Sequence, residues 1–103
     1  MAKKQVIWSI RAQQDRLAFF EYWINRNGSK VYAKKLSKLF TDATVQIAAY
    51  PKIGKSTIRS DIRIAVIKDY LMLYKVNPNQ IEILTLFDSR QNPTKLDKQL
   101  KKM

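Results

Sequence analysis

Apolar residues in the first quarter of the chain predict a short strand followed by a helix. The β-branched and aromatic residues between positions 5 and 10 are typical of a strand, and Ser9 is a suitable cap for the helix that follows. We expect the helix to end at about Asn27, because Gly28 readily adopts the left-handed conformation that follows a helix C-terminus. Apolar residues recur along this helix at spacings of three and four, which indicates one buried face: Ala12, Leu17, Phe19, Phe20, Trp23 and Ile24.

A second helix is predicted to start directly after this stop, with Ser29 as its N-cap. It should end at Tyr50, because a residue that precedes proline is disfavoured in the helical conformation. The short turn between the two helices predicts an antiparallel hairpin. The apolar stripe consists of Ala33, Leu36, Phe40, Ala43 and Ile47. The opposite face carries Lys30, Lys34, Lys35 and Lys38.

The second half of the chain predicts strands. Three strand-like runs lie at residues 62–67, 70–76 and 81–87, and the short connectors between them suit hairpins. Ile58 and Arg59 either begin an earlier strand or extend the first run. Both faces of each run are largely apolar, so we expect the helices to cover one face and something else, such as a partner chain, to cover the other.

These elements predict an α+β fold with an N-terminal strand, an antiparallel helical hairpin, and then a three- to four-stranded antiparallel meander. The length of 103 residues suits a single domain, 1–103. No apolar run is long enough for a signal peptide or a membrane span, so we expect a cytoplasmic protein.

Composition narrows the possible chemistry. The chain has 20 Lys and Arg against 8 Asp and Glu, a formal net charge of +12, which favours a polyanionic or acidic partner over a merely soluble basic surface. Cysteine and histidine are both absent, which removes disulfides, thiolate metal sites and the usual proton-transfer group near neutral pH. Any catalysis has to use Arg, Lys, Asp, Glu, Tyr or Ser, and no metal site is expected.

Four blocks in one order resemble the RelE/ParE family of toxins from type II toxin–antitoxin (plasmid stabilisation) systems. They are YPKIG at 50–54, Arg63 at the start of a strand, DYLMLYKV at 69–76, and IEILTLFDSRQNP at 81–93. The resemblance implies a basic, growth-inhibiting toxin that a co-encoded antitoxin neutralises by wrapping a flexible segment around its helices and sheet. It also implies that the complex binds operator DNA through the antitoxin, and that the toxin needs no cofactor.

The family splits by target. RelE-like members are ribosome-dependent mRNA endonucleases, which use arginines on central strands and commonly a Tyr or His near the C-terminus. If this chain is such a metal-independent endoribonuclease, Arg63 and Arg90 match the phosphate-binding arginines, and Asp88 could act as a base. However, Tyr74 is the last tyrosine and no histidine exists. This departure favours a ParE-like toxin that inhibits DNA gyrase by binding; a member that binds antitoxin but has lost toxicity is a third possibility.

The candidate target- or antitoxin-binding residues have structural alternatives. Arg63 could instead pair with a nearby aspartate, namely Asp61, Asp69 or Asp88. Asp88 and Asn92 could simply turn the chain before Pro93, and the two tyrosines could be core residues. The candidates are Lys52, Lys55, Arg63, Tyr70, Tyr74, Arg90 and Gln91.

Overall fold

The computed structural model describes residues 4–90 together with residues 98, 100 and 101. In these residues a mixed five-stranded sheet carries two helices, and its strand order is β1-β5-β4-β3-β2. The α+β prediction is therefore confirmed. The elements are β1 (Gln5–Trp8), α1 (Ile10–Asn27), α2 (Val31–Ala49), β2 (Lys55–Ser56), β3 (Ile62–Ile67), β4 (Tyr70–Val76) and β5 (Gln80–Asp88).

Both ends of α1 form as predicted. The Ser9 hydroxyl accepts a hydrogen bond from the Ala12 amide at 3.0 Å, which satisfies one of the free N–H groups of the first turn. Gly28 has a φ of 65° and its N–H donates to the Ile24 carbonyl, so this glycine closes the helix in the left-handed conformation.

The start of α2 differs by one residue from the prediction. Lys30 is the N-cap and makes no side-chain cap, whereas the Ser29 hydroxyl accepts a hydrogen bond from the Val31 amide at 3.3 Å. Ser29 therefore serves the turn between the helices rather than the cap position itself. The other end of α2 agrees with the prediction, because the helix stops at Ala49 before Tyr50 and Pro51.

Strands β3, β4 and β5 form the predicted antiparallel meander. The N-terminal strand β1 lies at the sheet edge and runs parallel to β5, from Gln5 beside Gln80 to Trp8 beside Ile83. The strand before the meander is not at positions 58–59 but at 55–56, where it pairs with the first half of β3. The intervening residues turn instead, and Thr57 Oγ1 donates to the Ile62 carbonyl at 2.9 Å.

The main core lies between the helices and one face of the sheet. Leu17 is not part of it: its side chain is 56% exposed, contrary to the prediction. Ala12 is fully buried, and Leu17 lies about 140° around the helix from it at 100° per residue. The buried side chains of this core include Ala12, Leu36, Phe40, Ile47, Tyr70, Met72, Tyr74, Ile81 and Ile83.

The second face of the sheet is covered in part by the chain itself. Leu100, in the helical C-terminal segment, is 4% exposed and packs with Ile62 and Leu73. The expectation that something covers this face is therefore met, at least locally, without a partner chain. No helix within the described ranges is long and apolar enough to cross a membrane.

Candidate functional site

The two candidate arginines lie at opposite ends of the sheet. Arg63 pairs with Tyr74, near the end of β4, whereas Asp88, two residues before Arg90, pairs with Tyr70 at the start of β4. Positions 70 and 74 are about 13 Å apart along a strand that rises about 3.3 Å per residue. The structure therefore does not bring Arg63 and Arg90 together around one phosphate group.

Arg63 is held by the backbone of the loop that follows α2. Its Nη1 donates to the Gly54 carbonyl at 2.8 Å and to the Lys52 carbonyl at 3.2 Å. The alternative pairing with Asp61 is not formed, since the Asp61 carboxylate forms ion pairs with Arg59 at 3.5 Å and Lys75 at 3.8 Å. Arg63 thus holds the loop at the sheet's end by hydrogen bonds to carbonyl groups.

Tyr74 fastens the same loop from the core. Its ring is fully buried, and its hydroxyl donates to the Pro51 carbonyl at 2.8 Å and accepts from the Gly54 amide at 2.9 Å. Burial raises the pKa of the Tyr74 hydroxyl above its usual value. A Cβ at position 54 would lie 2.5 Å from the Tyr74 Oη and 2.9 Å from the Ile64 carbonyl oxygen. The close approach therefore requires glycine at position 54.

The loop fixed in this way, residues 50–54, is named here the α2–β2 loop. It exposes its two large apolar side chains, since Tyr50 is 67% and Ile53 50% accessible. Lys52 and Lys55, the predicted cations, are also exposed. An open cleft of about 680 Å³ beside the loop is lined by Lys4, Ala49, Tyr50, Pro51, Lys52, Ile53 and Val76.

Arg90 forms a two-pronged ion pair with Asp88. Its Nε lies 2.9 Å from Oδ1 and its Nη2 lies 2.7 Å from Oδ2, and Oδ1 also accepts the Arg90 amide at 2.9 Å. These hydrogen bonds lower the pKa of the Asp88 carboxyl and raise the pKa of the Arg90 guanidinium. Asp88 is therefore a weak base that turns the chain, and Arg90 is presented outward on a fixed turn. Gln91 and Asn92 lie outside the described residues.

Tyr70 is a core residue. It is 1% exposed, and its hydroxyl accepts a hydrogen bond from the Trp23 Nε1 at 2.7 Å. Its ring centroid lies 4.6 Å from that of Phe19 and 5.7 Å from that of Phe40. Burial raises the pKa of the Tyr70 hydroxyl. The interpretation of Tyr70 and Tyr74 as core residues agrees with the structure, because both rings are buried.

Sequence reasoning missed Asp15. Its Oδ2 accepts from the Thr85 hydroxyl at 2.7 Å and from the Leu86 amide at 3.1 Å, while Ser9 Oγ donates to the Leu84 carbonyl at 2.8 Å. These contacts tie the start of α1 to the edge of β5 beyond the end of β1. The available signal was position, since a carboxylate three residues after Ala12 lies on the buried side of the helix.

A second surface runs along α2 and β3. Strand β2 pairs with β3 only at residues 63 and 64, so within the described part of the chain the edge of β3 is open from Ala65 onward. Val45 and Val66 are about half exposed there, at 53% and 55%. This surface, named here the α2–β3 groove, has a volume of about 630 Å³ and is lined by Leu39, Asp42, Ala43, Val45, Gln46, Val66, Ile67 and Lys68. Among the described residues, no group of three or more acidic side chains could hold a metal ion.

Comparisons with known proteins agree on one family. Residues 6–93 match the family described as the ParE toxin of the type II toxin-antitoxin system parDE. Toxin ParE3 of Caulobacter vibrioides is 29% identical over 68 residues, which are 64% of this chain and 67% of that protein. A solved structure of the chromosomal ParDE system from P. aeruginosa has the same fold, with a TM-score of 0.72 at 16% identity. The superposition covers 84% of this chain and 96% of that chain.

Proposed function

Because this chain belongs to the ParE toxin family of type II toxin–antitoxin systems, we propose that it arrests growth by binding and inhibiting DNA gyrase. An antitoxin is its partner, and the toxin acts when that antitoxin is missing. In this proposal the toxin works by occupying a surface of its target and breaks no covalent bond.

The observation that carries the proposal is the separation of the two arginines. A ribonuclease has to stabilise the charge that develops on one phosphate, so its cations need to converge on one point. Arg63 and Arg90 do not converge, because Arg63 lies beside Tyr74 and Arg90 follows the partner of Tyr70, and these two β4 positions are about 13 Å apart along the strand. Arg63 donates to backbone carbonyls, and Arg90 donates to a carboxylate.

The candidate groups for proton transfer, Asp88 and Tyr74, are poorly suited to it. RNA cleavage needs a base for the 2′-hydroxyl and an acid for the leaving oxygen. The pKa of Asp88 is lowered, which makes it a poor base. Tyr74 is the last tyrosine in the sequence, and its hydroxyl is buried and hydrogen-bonded. These properties support target binding over ribosome-dependent mRNA cleavage.

The antitoxin is proposed to bind in the α2–β3 groove. An apolar groove beside an open strand edge accepts an extended or helical peptide segment, and the lysines on the outer face of α2 would attract an acidic one. We further propose that the toxin is a single domain, 1–103, that acts in the cytoplasm without a cofactor. Operator DNA would then be bound by the complex through the antitoxin.

Two assays, one on purified toxin and one in cells, test this function. Purified toxin is added to a gyrase supercoiling reaction, with toxin premixed with its co-encoded antitoxin as the control. In parallel, mRNA 5′ ends are mapped shortly after the toxin is induced without antitoxin. We expect supercoiling to stop and the messages to stay intact. New 5′ ends at a fixed position within codons would overturn the proposal in favour of a ribosome-dependent endonuclease, and unchanged growth would indicate a member without toxicity.

A further inference from the structure

We propose that the α2–β2 loop is a rigid contact surface for the protein target of this toxin. Tyr50 and Ile53 are the contacting side chains, and Tyr74 and Arg63 are the residues that position them. The inference rests on the proposed function in one respect, namely that the toxin acts by binding a protein. It holds whether or not that protein is gyrase.

The loop backbone is fixed from both sides. Tyr74 holds the Pro51 carbonyl and the Gly54 amide from within the core, and Arg63 holds the carbonyls of Lys52 and Gly54 from β3. Without Tyr74 and Arg63, these backbone groups would form hydrogen bonds with water instead. A loop fixed before binding loses little conformational entropy when a partner arrives, so its contacts contribute more to affinity.

Fixing the backbone does not bury the large apolar side chains of the loop. Tyr50 is 67% exposed and Ile53 is 50% exposed, although the hydroxyl of buried Tyr74 is hydrogen-bonded to the backbone of the same loop. Tyrosine is enriched among the residues that contribute most to the affinity of protein interfaces. The cleft beside them is wide enough, at about 680 Å³, to receive a side chain of the partner.

The charges around the loop indicate the chemistry of the partner. Lys52 and Lys55 are exposed, and the Lys4 amine is fixed at the cleft by the carbonyls of Asn77, at 2.7 Å, and Pro78, at 3.0 Å. A complementary surface carries carboxylates around a projecting apolar side chain. A nucleic acid backbone would match the cations but would leave Ile53 without an apolar counterpart, so a protein fits the surface better.

The antitoxin is less suited to this loop than to the α2–β3 groove. A neutralising segment needs an extended surface, because standard interfaces bury roughly 800 Å² on each partner. The groove lies beside α2 and the open edge of β3, whereas the loop comprises only residues 50–54. Ile53 lies between the two surfaces, since it also lines a smaller depression, of about 250 Å³, with Gln46, Ile64 and Val66. Tyr50 lies on the far side of the loop, beside Lys4 and Val76, and therefore separates the two partners best.

The test compares growth arrest with antitoxin binding in the same variants. Tyr50→Ala removes a contacting side chain, and Tyr74→Phe removes only the hydroxyl that fixes the loop. Ile10→Ala is the matched control. Ile10 is 80% exposed, and it follows the C-terminal end of β1, whereas Lys4 at the cleft precedes the N-terminal end. Each variant is expressed without antitoxin at graded levels, and its Kd for the co-encoded antitoxin and its melting temperature are measured on purified protein.

We expect Tyr50→Ala to raise the toxin level needed for growth arrest at least about tenfold, as for a central interface residue. Its Kd for the antitoxin should change less than about twofold, within the range of a peripheral contact. Tyr74→Phe should likewise raise the toxin level needed for growth arrest and leave the Kd for the antitoxin nearly unchanged. Ile10→Ala should arrest growth at the wild-type level.

Five results would overturn the proposal. In the first, Tyr50→Ala leaves growth arrest unchanged. In the second, Tyr50→Ala weakens antitoxin binding together with growth arrest, which would assign the loop to the antitoxin. Lys52→Ala with Lys55→Ala could abolish arrest while Tyr50→Ala and Ile53→Ala do not, which would indicate a polyanion. If the wild-type protein does not arrest growth, there is no target for the loop to contact. A parallel loss of both readouts in Tyr74→Phe would make Tyr74 purely structural. Arrest without gyrase inhibition would overturn only the choice of gyrase.

Discussion

The hydroxyl of Tyr74 accepts a hydrogen bond from the Gly54 amide at 2.9 Å and lies where a side chain at position 54 would have to begin. The buried tyrosine and the glycine therefore depend on each other. This dependence joins two blocks that are separated by 20 positions in the sequence, namely the loop after α2 and the end of β4.

Gly54→Ala is predicted to destabilise the toxin by about 1–3 kcal/mol, the usual cost of adding a methyl group to a closely packed site. The new Cβ would meet both the Tyr74 hydroxyl and the Ile64 carbonyl, and the backbone carbonyl cannot move easily. Urea unfolding measures the loss. In the double variant Gly54→Ala with Tyr74→Phe the two losses should be less than additive, because the hydroxyl clash is gone. Strict additivity would show that the two residues are not coupled.

Asp15→Ala is predicted to lower the free energy of unfolding by about 1–3 kcal/mol, because the Thr85 hydroxyl and the Leu86 amide would lose their acceptor. Glu21→Ala, an exposed acid on the same helix, is the control and should change stability by less than about 0.5 kcal/mol. Equal effects in the two variants would mean that Asp15 contributes only its charge.

The Asp88–Arg90 pair predicts a loss of stability in acid. The folded-state pKa of Asp88 is lowered, so its contribution is present above the unfolded-state pKa of about 3.9 and is lost as the pH falls through the folded-state value. Unfolding by urea between pH 2 and pH 6 measures the dependence. Asp88→Asn should flatten the decline below pH 4, and an unchanged slope would contradict the assignment. Arg90→Ala serves as the second arm, since it removes the cause of the shift.

Leu100→Ala tests the cover on the second face of the sheet. The side chain is 4% exposed and packs with Ile62 and Leu73, so its loss should cost about 2–5 kcal/mol, as for other buried leucines. Lys101→Ala, at an exposed neighbouring position, should have little effect. A loss below about 0.5 kcal/mol, the range of surface changes, would show that this segment contributes nothing to folding.

Val66→Glu tests the α2–β3 groove as the antitoxin surface. Val66 is 55% exposed, so the fold should tolerate the change. A carboxylate in the groove would face an acidic, apolar partner segment, and like charges at an interface cost several kcal/mol. The Kd for the co-encoded antitoxin should rise at least about a hundredfold, which corresponds to about 2.7 kcal/mol. Val31→Glu, at a 75% exposed position outside the groove, is the control. Equal affinities would place the antitoxin elsewhere.

Sequence patterns located the regular elements well. The bounds of β3 and β4 agree with the predicted runs, because β-branched residues between clear turn signals identify buried strands. Caps were also readable, since Ser9 and Gly28 act through residues only three or four positions away. The prediction that Leu17 is buried was wrong, because spacing alone gives a wide apolar face and packing on the sheet decides which part of that face is buried.

The functional surfaces were less predictable, because they depend on contacts between distant positions. Arg63 could have met any of several aspartates, and only the folded loop shows that its partners are the carbonyls of Lys52 and Gly54. Asp15 acts across 70 positions on Thr85. For Tyr74 the core alternative agrees with the structure, but the two backbone partners of its hydroxyl cannot be read from strand periodicity. Local patterns carry no information about such pairings.

The parallel pairing of β1 with β5 has a consequence for synthesis on the ribosome. Ser9, at the end of β1, bonds to Leu84 across 75 positions, so the first strand made has no partner until the last strand has left the exit tunnel. The helical hairpin can form early from local contacts, but the sheet closes only after β5 has been made. The β1–β5 pair is therefore the last part of the sheet to form, after the helical hairpin and the β2–β4 strands have been made.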